Sequence, residues 1–397
     1  MARIVVCGYM VRYPVVGLAF AYLHYVLGLQ RLGHEVQYVE ESGWPNSCYD
    51  PLAGTHSDDP TTGLRLARNL ARHYGSNVSI CYVNRETGDI HGTNWADLRA
   101  ALRSADLLLN LGGVCWLPEF RLCARRALVD MDPLFTQVGH FAGDSLPEHD
   151  TYFTYGTNVG QPGCSVPTGN LEWIATVPPV VCDIWRNAAS EDLEADRFTT
   201  VAHWTAYGSV TYEGERFGQK DEEFLRIVDL PRRVSRPLEI AVSGIGEADR
   251  ERLLGGGWSL REAAEISGMP DDYRAYLADS LGEVSAAKNA YVKTRSGWFS
   301  DRSVCYLAAG RPVVLQETGF RDWAPIGVGL LTFETADDAA ECIEAVVSDY
   351  QKHRRAAAEL ADRIFSHDVV LPRLVELAVG TSGAPASRLR ATPGMRS

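Results

Sequence analysis

Short apolar runs alternate with longer stretches of helical spacing from the first residues onward. Ile4–Cys7 is an apolar run closed by Gly8, the pattern of a buried strand followed by a turn. Gly17–Leu32 sets Leu18, Tyr22, Tyr25, Val26 and Leu29 at helical spacing and stops at Gly33, a suitable C-cap. Val36–Val39 reads as the next strand, Thr61–Tyr74 as a helix and Asn77–Val83 as a strand. Trp95–Arg103 reads as a helix and Leu107–Leu111 as a strand ending at Gly112-Gly113. Strands separated by helices imply parallel pairing through right-handed crossovers, hence a doubly wound sheet.

Between about Asp130 and Pro179 the pattern loosens into Gly, Pro and Asn, and Pro178-Pro179 reads as a hinge. The alternation then restarts. Phe198–His203, Leu238–Val242, Val313–Gln316 and Leu330–Phe333 are expected strands. Asp221–Val228, Ala248–Leu254, Ser259–Ile266, Asp271–Leu281 and Asp301–Ala309 are expected helices, with Ser259 and Glu262 as a capping box. Ala336–Ile364 is a long helical stretch, and Val369–Ala378 a last helix. The expected organisation is α/β, with two doubly wound Rossmann-type domains facing a cleft. They span 1–180 and 181–365, followed by a C-terminal helix over 366–379 and a disordered tail over 380–397. Ligands of such sheets bind at the carboxyl ends of the strands, so two facing sheets make a cleft for a small molecule.

Charge narrows the partners. The 397 residues carry a net charge of -13, against a nucleic-acid or anionic-membrane surface as the main partner. Only four of the 38 basic residues are lysines: Lys220, Lys288, Lys293 and Lys352. The nine cysteines show no C-x-x-C pair and no metal-ligand spacing, which fits reduced, mostly buried thiols. With no signal-peptide pattern and no apolar run long enough to span a bilayer, a cytoplasmic location is expected.

The segment most suggestive of chemistry is Tyr291–Gly319. A loop with Ser296, Gly297 and Ser300 leads into a helix that starts around Asp301, Arg302 and Ser303. Helix N-termini attract phosphate, Gly297 permits close backbone approach, and Arg302 offers a bidentate cation. The helix closes at Gly310 and Pro312, and the next strand ends at Glu317-Thr318-Gly319, aimed at the same cleft. A second Gly-rich loop, Trp204–Gly218, precedes Lys220 at a helix start, where a cation is unfavourable unless an anion compensates it. Acid–base candidates in the first domain are Asp132, His140, Asp144 and His149, with His140 and Asp144 in an expected loop over Gln137–Asp144. Gly17, before the first helix, and Trp116, in an aromatic cluster with Trp44, Tyr49 and Phe120, are candidate acceptor contacts. The loop Gly8–Gly17 is not G-x-G-x-x-G, so a dinucleotide fingerprint is absent.

The run loop, helix, Ala309-Gly310-Arg311-Pro312-Val313-Val314, strand, acidic residue resembles the donor-site motif of GT-B glycosyltransferases. Arg31-Leu-Gly-His-Glu-Val36 resembles the start of that fold. The resemblance implies a glycosyltransferase that moves a sugar from a nucleotide-diphosphate sugar to a soluble small molecule. No metal or other cofactor is implied. The donor would lie on Lys220, Ser296, Gly297, Arg302, Ser303, Glu317, Thr318 and Gly319. Partners are then a nucleotide sugar and a small acceptor, not nucleic acid or membrane, with a homodimer left open. Many members carry a carboxylate for the nucleotide ribose seven residues before the proline; here that position is Cys305. Retaining members place a glutamate eight residues earlier, where this chain has Gly297. Glu317 is a substitute candidate for the ribose. Alternatives are a nucleotide-sugar epimerase of the same fold and a non-catalytic nucleotide-binding partner subunit.

Overall fold

The computed structural model describes residues 1–51, 53–141, 149–186 and 195–380. Two parallel sheets form its frame. In the first, the spatial order is Trp173–Ala175, Thr151–Thr154, Arg126–Asp130, Leu107–Leu111, Arg3–Cys7, Glu35–Glu41, Ser79–Val83 and Ile90–His91. All neighbours are parallel except the edge strand Ile90–His91, which runs antiparallel to Ser79–Val83. In the second, Ser259–Glu262, Leu238–Ser243, Phe198–His203, Gly282–Ser285, Val313–Gln316 and Leu330–Phe333 lie side by side. Counted along the chain without the short edge strand, both sheets contain the doubly wound order 3-2-1-4-5-6.

The strand sequences explain the parallel pairing. Leu107–Leu111 is buried at every residue, as a strand covered on both faces by helices must be. The first helix, Val16–Arg31, is buried nearly all round because it is packed from several sides. It covers the first sheet, it meets the helix Pro270–Ala278 of the second half, and the C-terminal helix His367–Val379 returns onto it. Small residues permit these approaches. A Cβ on Gly28 would fall 2.5 Å from Leu371, and one on Gly17 would fall 3.0 Å from the ring of Tyr273. One apolar core therefore runs from Ile4 and Leu109 through to Val313, Leu330 and Phe365. The expected hinge is packed: Val180 and Val181 are fully buried, and the Val180 N–H donates to the Phe365 carbonyl at 2.7 Å.

Several elements differ from the sequence reading. Ser259–Glu262 is an edge strand paired with Leu238–Ser243, and the helix starts only at Ala263. The capping-box spacing was thus coincidental, and the strand satisfies its backbone through the ladder. Phe135–Phe141 is a helix where a loop was expected, so Gly139 is accommodated within a turn of helix. The long stretch after Ala336 is divided into Ala336–Ser348 and Tyr350–Leu360, then a π turn at Ala361–Phe365. Of the tail, 381–397 lies outside the described residues. All nine cysteines are unpaired thiols.

Candidate functional site

The carboxyl ends of the two sheets meet around a cluster of cations. The Gly-rich segment after Phe198–His203 is a small hairpin, Val210–Tyr212 against Glu215–Phe217, turned by Glu213 and Gly214 with positive φ. It delivers Lys220 as the first residue of the helix Lys220–Arg226. A buried carboxylate pins that helix in place. Glu223 accepts from Asn289 Nδ2 at 2.7 Å and from Gln316 Nε2 at 2.6 Å, tying it to the start of the helix Asn289–Thr294 and to the end of the strand Val313–Gln316. Lys220 itself is half-buried, and among the described residues its ammonium makes no hydrogen bond or ion pair. Loss of solvent, then the nearby Arg302 and Lys288, push its pKa down to about 7, against the pull of Asp301 and Glu283.

Arg302 does not face the cleft as a free fork. Its Nε donates to Glu283 at 2.5 Å, one terminal nitrogen to the Val201 carbonyl at 2.7 Å and the other to Ser285 Oγ at 2.8 Å. The expected phosphate fork is thus consumed in clamping Phe198–His203 to Gly282–Ser285. It contributes positive field but no open bidentate face.

The Ser296–Ser303 loop also differs from expectation. Gly297 has φ +76°, and a Cβ there would fall 2.4 Å from Thr157 Oγ1 of the first domain. Its carbonyl accepts from Thr157 Oγ1 at 3.1 Å, and the Ser296 carbonyl accepts from the Asn158 N–H at 2.9 Å. Gly319, with φ +100°, is likewise closed over by Asn158, whose Nδ2 donates to the Gly319 carbonyl at 3.0 Å. Both glycines therefore admit the opposing domain, in the space assigned by sequence to phosphate. Thr318 Oγ1 donates to the Trp298 carbonyl at 2.6 Å. Glu317 is engaged on both oxygens, by Gly319 N–H at 2.6 Å, Arg321 Nε at 2.7 Å and Thr332 Oγ1 at 3.0 Å, so it organises its turn and has no lone pair directed at a ribose. The hydroxyls of Ser296 and Ser303 are buried and, among the described residues, lack any partner. Cys305 is buried against the first helix, with Sγ 3.8 Å from His24 Nε2, inside the domain contact and away from the cleft.

Asp132 is committed too. It accepts from Lys288 Nζ at 2.7 Å and from the Tyr291 hydroxyl, across the domains. Lys288 is further held by the Tyr207 hydroxyl at 2.6 Å and lies 4.8 Å from the Phe135 ring centroid. Both carboxylate oxygens of Asp132 are thereby engaged. His140 lies on the helix Phe135–Phe141, with its side chain outside the described residues, as is all of Asp144. Gly17 serves the helix contact described above and does not open to the cleft. Trp116 stands on the loop after Leu107–Leu111, 5.7 Å ring to ring from His149.

Sequence reading missed two residues of this cluster. Lys288 was flagged only by the scarcity of lysine. The sequence pattern marks Asp301 only as a helix start; its half-buried side chain makes no hydrogen bond among the described residues. Its field reaches Lys220 on one side and Tyr22, Tyr25 and Tyr155 on the other.

The first sheet contributes an aromatic platform. The buried Glu40 accepts from the Val11 N–H at 2.9 Å and the Arg12 N–H at 2.7 Å, fixing the loop after the first strand. On that loop and the next, Tyr9 and Tyr13 stack at 6.1 Å, Tyr13 and Tyr49 at 4.8 Å, and Trp44, 51% exposed, lies 6.3 Å from Tyr9.

Two parallel sheets in this order, joined by a returning C-terminal helix, match known structures over almost their whole length. An α-glucosyltransferase solved with UDP and a 13-mer DNA is 10% identical, with 95% of this chain and 100% of that one covered and a TM-score of 0.58. The chain has the GT-B fold. AviGT4, a glycosyltransferase involved in avilamycin A biosynthesis, is 12% identical over 95% of this chain and 97% of its own, at a TM-score of 0.55. HepE from Anabaena, solved with UDP and glucose, is 11% identical over 95% and 99%, also at 0.55. No family model and no curated protein matches the sequence. At these identities, the GT-B fold is shared while individual site residues need not be. No helix among the described residues is long and apolar enough to cross a membrane.

Proposed function

We propose that this GT-B chain is a glycosyltransferase that takes a sugar from a nucleotide-diphosphate sugar, without a metal, and passes it to a small-molecule acceptor. The observation that carries the reading is Lys220: a desolvated ammonium with no described partner, at the carboxyl edge of the second sheet. An unpaired cation there is costly unless an anion arrives, and a diphosphate supplies one. In this reading Lys220 meets the phosphates, and Arg302 and Lys288 add field. The solved UDP complexes of the α-glucosyltransferase and HepE support a nucleotide donor.

The acceptor would lie on the first-domain side, over Tyr9, Tyr13, Trp44 and Tyr49, whose half-open rings suit stacking. The net charge of -13 favours an uncharged small acceptor over nucleic acid. His140 or Asp144 would take the acceptor proton, and Asp301 would orient the reacting hydroxyl. Titration of the chain with UDP, GDP and dTDP tests the donor half. Binding of at least one, weakened roughly 10- to 100-fold by Lys220→Ala, is expected for a lost charge-assisted bond. Absence of binding to all three overturns the reading.

A further inference from the structure

Two adjoining concavities lie on the outer edge of the first sheet, between the helix Thr61–His73 and the edge strand Ile90–His91. They measure about 430 Å³ and 280 Å³ and share Arg68, Arg72 and Gly92. Arg65, Asn69 and His91 also line the larger one, with Thr61 and Leu64. The helix carries three arginines and a histidine but no Asp or Glu. Arg65, Arg68 and Arg72 stand at i, i+3 and i+7, so they share one face within about 10 Å of helix axis.

Among the described residues, the side chains of these three arginines make no hydrogen bond or ion pair. Some exposed arginines elsewhere are paired: Arg31 with Asp183, Arg99 with Glu119, and Arg233 with both Asp229 and Asp337. A chain of net charge -13 has carboxylates to spare, yet none lines this groove. Asp59, at the helix start and within the field of His91, accepts from both the N–H and the hydroxyl of Thr61, and Asp271 lies 3.5 Å from His73 at the other end of the helix. Gly92 shapes the wall. At φ +86° it lies so close that a Cβ would fall 2.1 Å from the Ile80 carbonyl and 3.2 Å from Arg68. Ser76, Asn77 and Ser79 add neutral polar groups at the other end.

We propose that this groove is a second anion site, separate from the cleft, for a small ligand bearing two or more phosphate groups. Guanidinium forks match phosphate oxygens bidentately, and three on one face suit a multiply charged ligand better than a single anion. The volume is within the range of about 300–1,000 Å³ that small-ligand sites occupy. The inference stands independently of the sugar-transfer reading.

Calorimetric titration of the full chain with tripolyphosphate, at physiological salt, tests it. Binding is expected to persist in Lys220→Ala, which disables the cleft, and to weaken at least about tenfold in Arg68→Gln/Arg72→Gln. That double variant alters surface side chains and is expected to keep the wild-type circular dichroism and melting temperature. Citrate, also multiply charged but without phosphate, is expected to bind at least about tenfold more weakly. The proposal is overturned by no binding, by binding the arginine variant leaves unchanged, by loss in Lys220→Ala, or by equal affinity for citrate. Binding of a single-stranded oligonucleotide without binding of tripolyphosphate overturns it as well.

Discussion

At the scale of single residues, direction of the side chain decides function. Lys220 and Arg302 were both expected as phosphate cations from their places at helix starts. The structure separates them. Arg302 is engaged at all three nitrogens, so Arg302→Ala leaves Glu283 buried without its partner. Its main effect is expected on stability, a loss of about 3–5 kcal/mol in chemical denaturation, as for other broken buried pairs. Lys220 is a desolvated cation with a pKa of about 7. Because the unfolded chain holds that proton up to its ordinary pKa near 10.5, the unfolded state binds more protons between pH 7 and 10.5. Stability attributable to Lys220 therefore rises with pH across that window. Lys220→Met is expected to raise the melting temperature of the free protein at neutral pH while weakening nucleotide binding. A fall in melting temperature would contradict the desolvation account. Diphosphate binding should weaken as pH climbs above 7, by up to about tenfold per unit, because the free protein must take up the proton on binding. Asp301→Asn is expected to lower turnover by about 100-fold with donor affinity little changed, if the carboxylate orients the reacting hydroxyl. Equal loss of donor affinity would place it with the donor.

At the scale of elements, the fold was legible because buried parallel strands announce themselves. Leu107–Leu111 and Val313–Gln316 are apolar runs bounded by Gly or Pro, and both are interior strands of their sheets. Ser259–Glu262 was misread because an edge strand needs no buried run; it is largely exposed, and its spacing mimicked a helix cap. The site was less legible for a related reason. Gly297, Gly319 and Asp132 were read from one segment each, while their partners Thr157, Asn158 and Lys288 come from distant parts of the chain. Glycine at a loop says that something approaches closely; it does not say whether that is phosphate or the opposing domain. Gly297→Ala is expected to cost about 1–3 kcal/mol, through positive φ and the clash with Thr157. An unchanged unfolding midpoint would mean that the two loops separate freely.

At the scale of the whole molecule, the halves are joined by more than a hinge. A continuous apolar core, the returning C-terminal helix and the Asn158 and Lys288 contacts hold the two sheets face to face. An acidic chain with few lysines places Lys220, Lys288 and Arg302 together at the meeting point of its sheets, and it leaves Lys220 without a described partner. That concentration of cations is the physical argument for an anionic donor, and it distinguishes the cleft from the arginine groove on the outer edge. The most direct measurement is calorimetric titration of wild type and Lys220→Ala with UDP, GDP and dTDP. The account requires that at least one nucleotide bind wild type, with proton uptake near pH 7, and bind the variant at least about tenfold more weakly. No binding by any of the three, or equal binding by the variant, would contradict it.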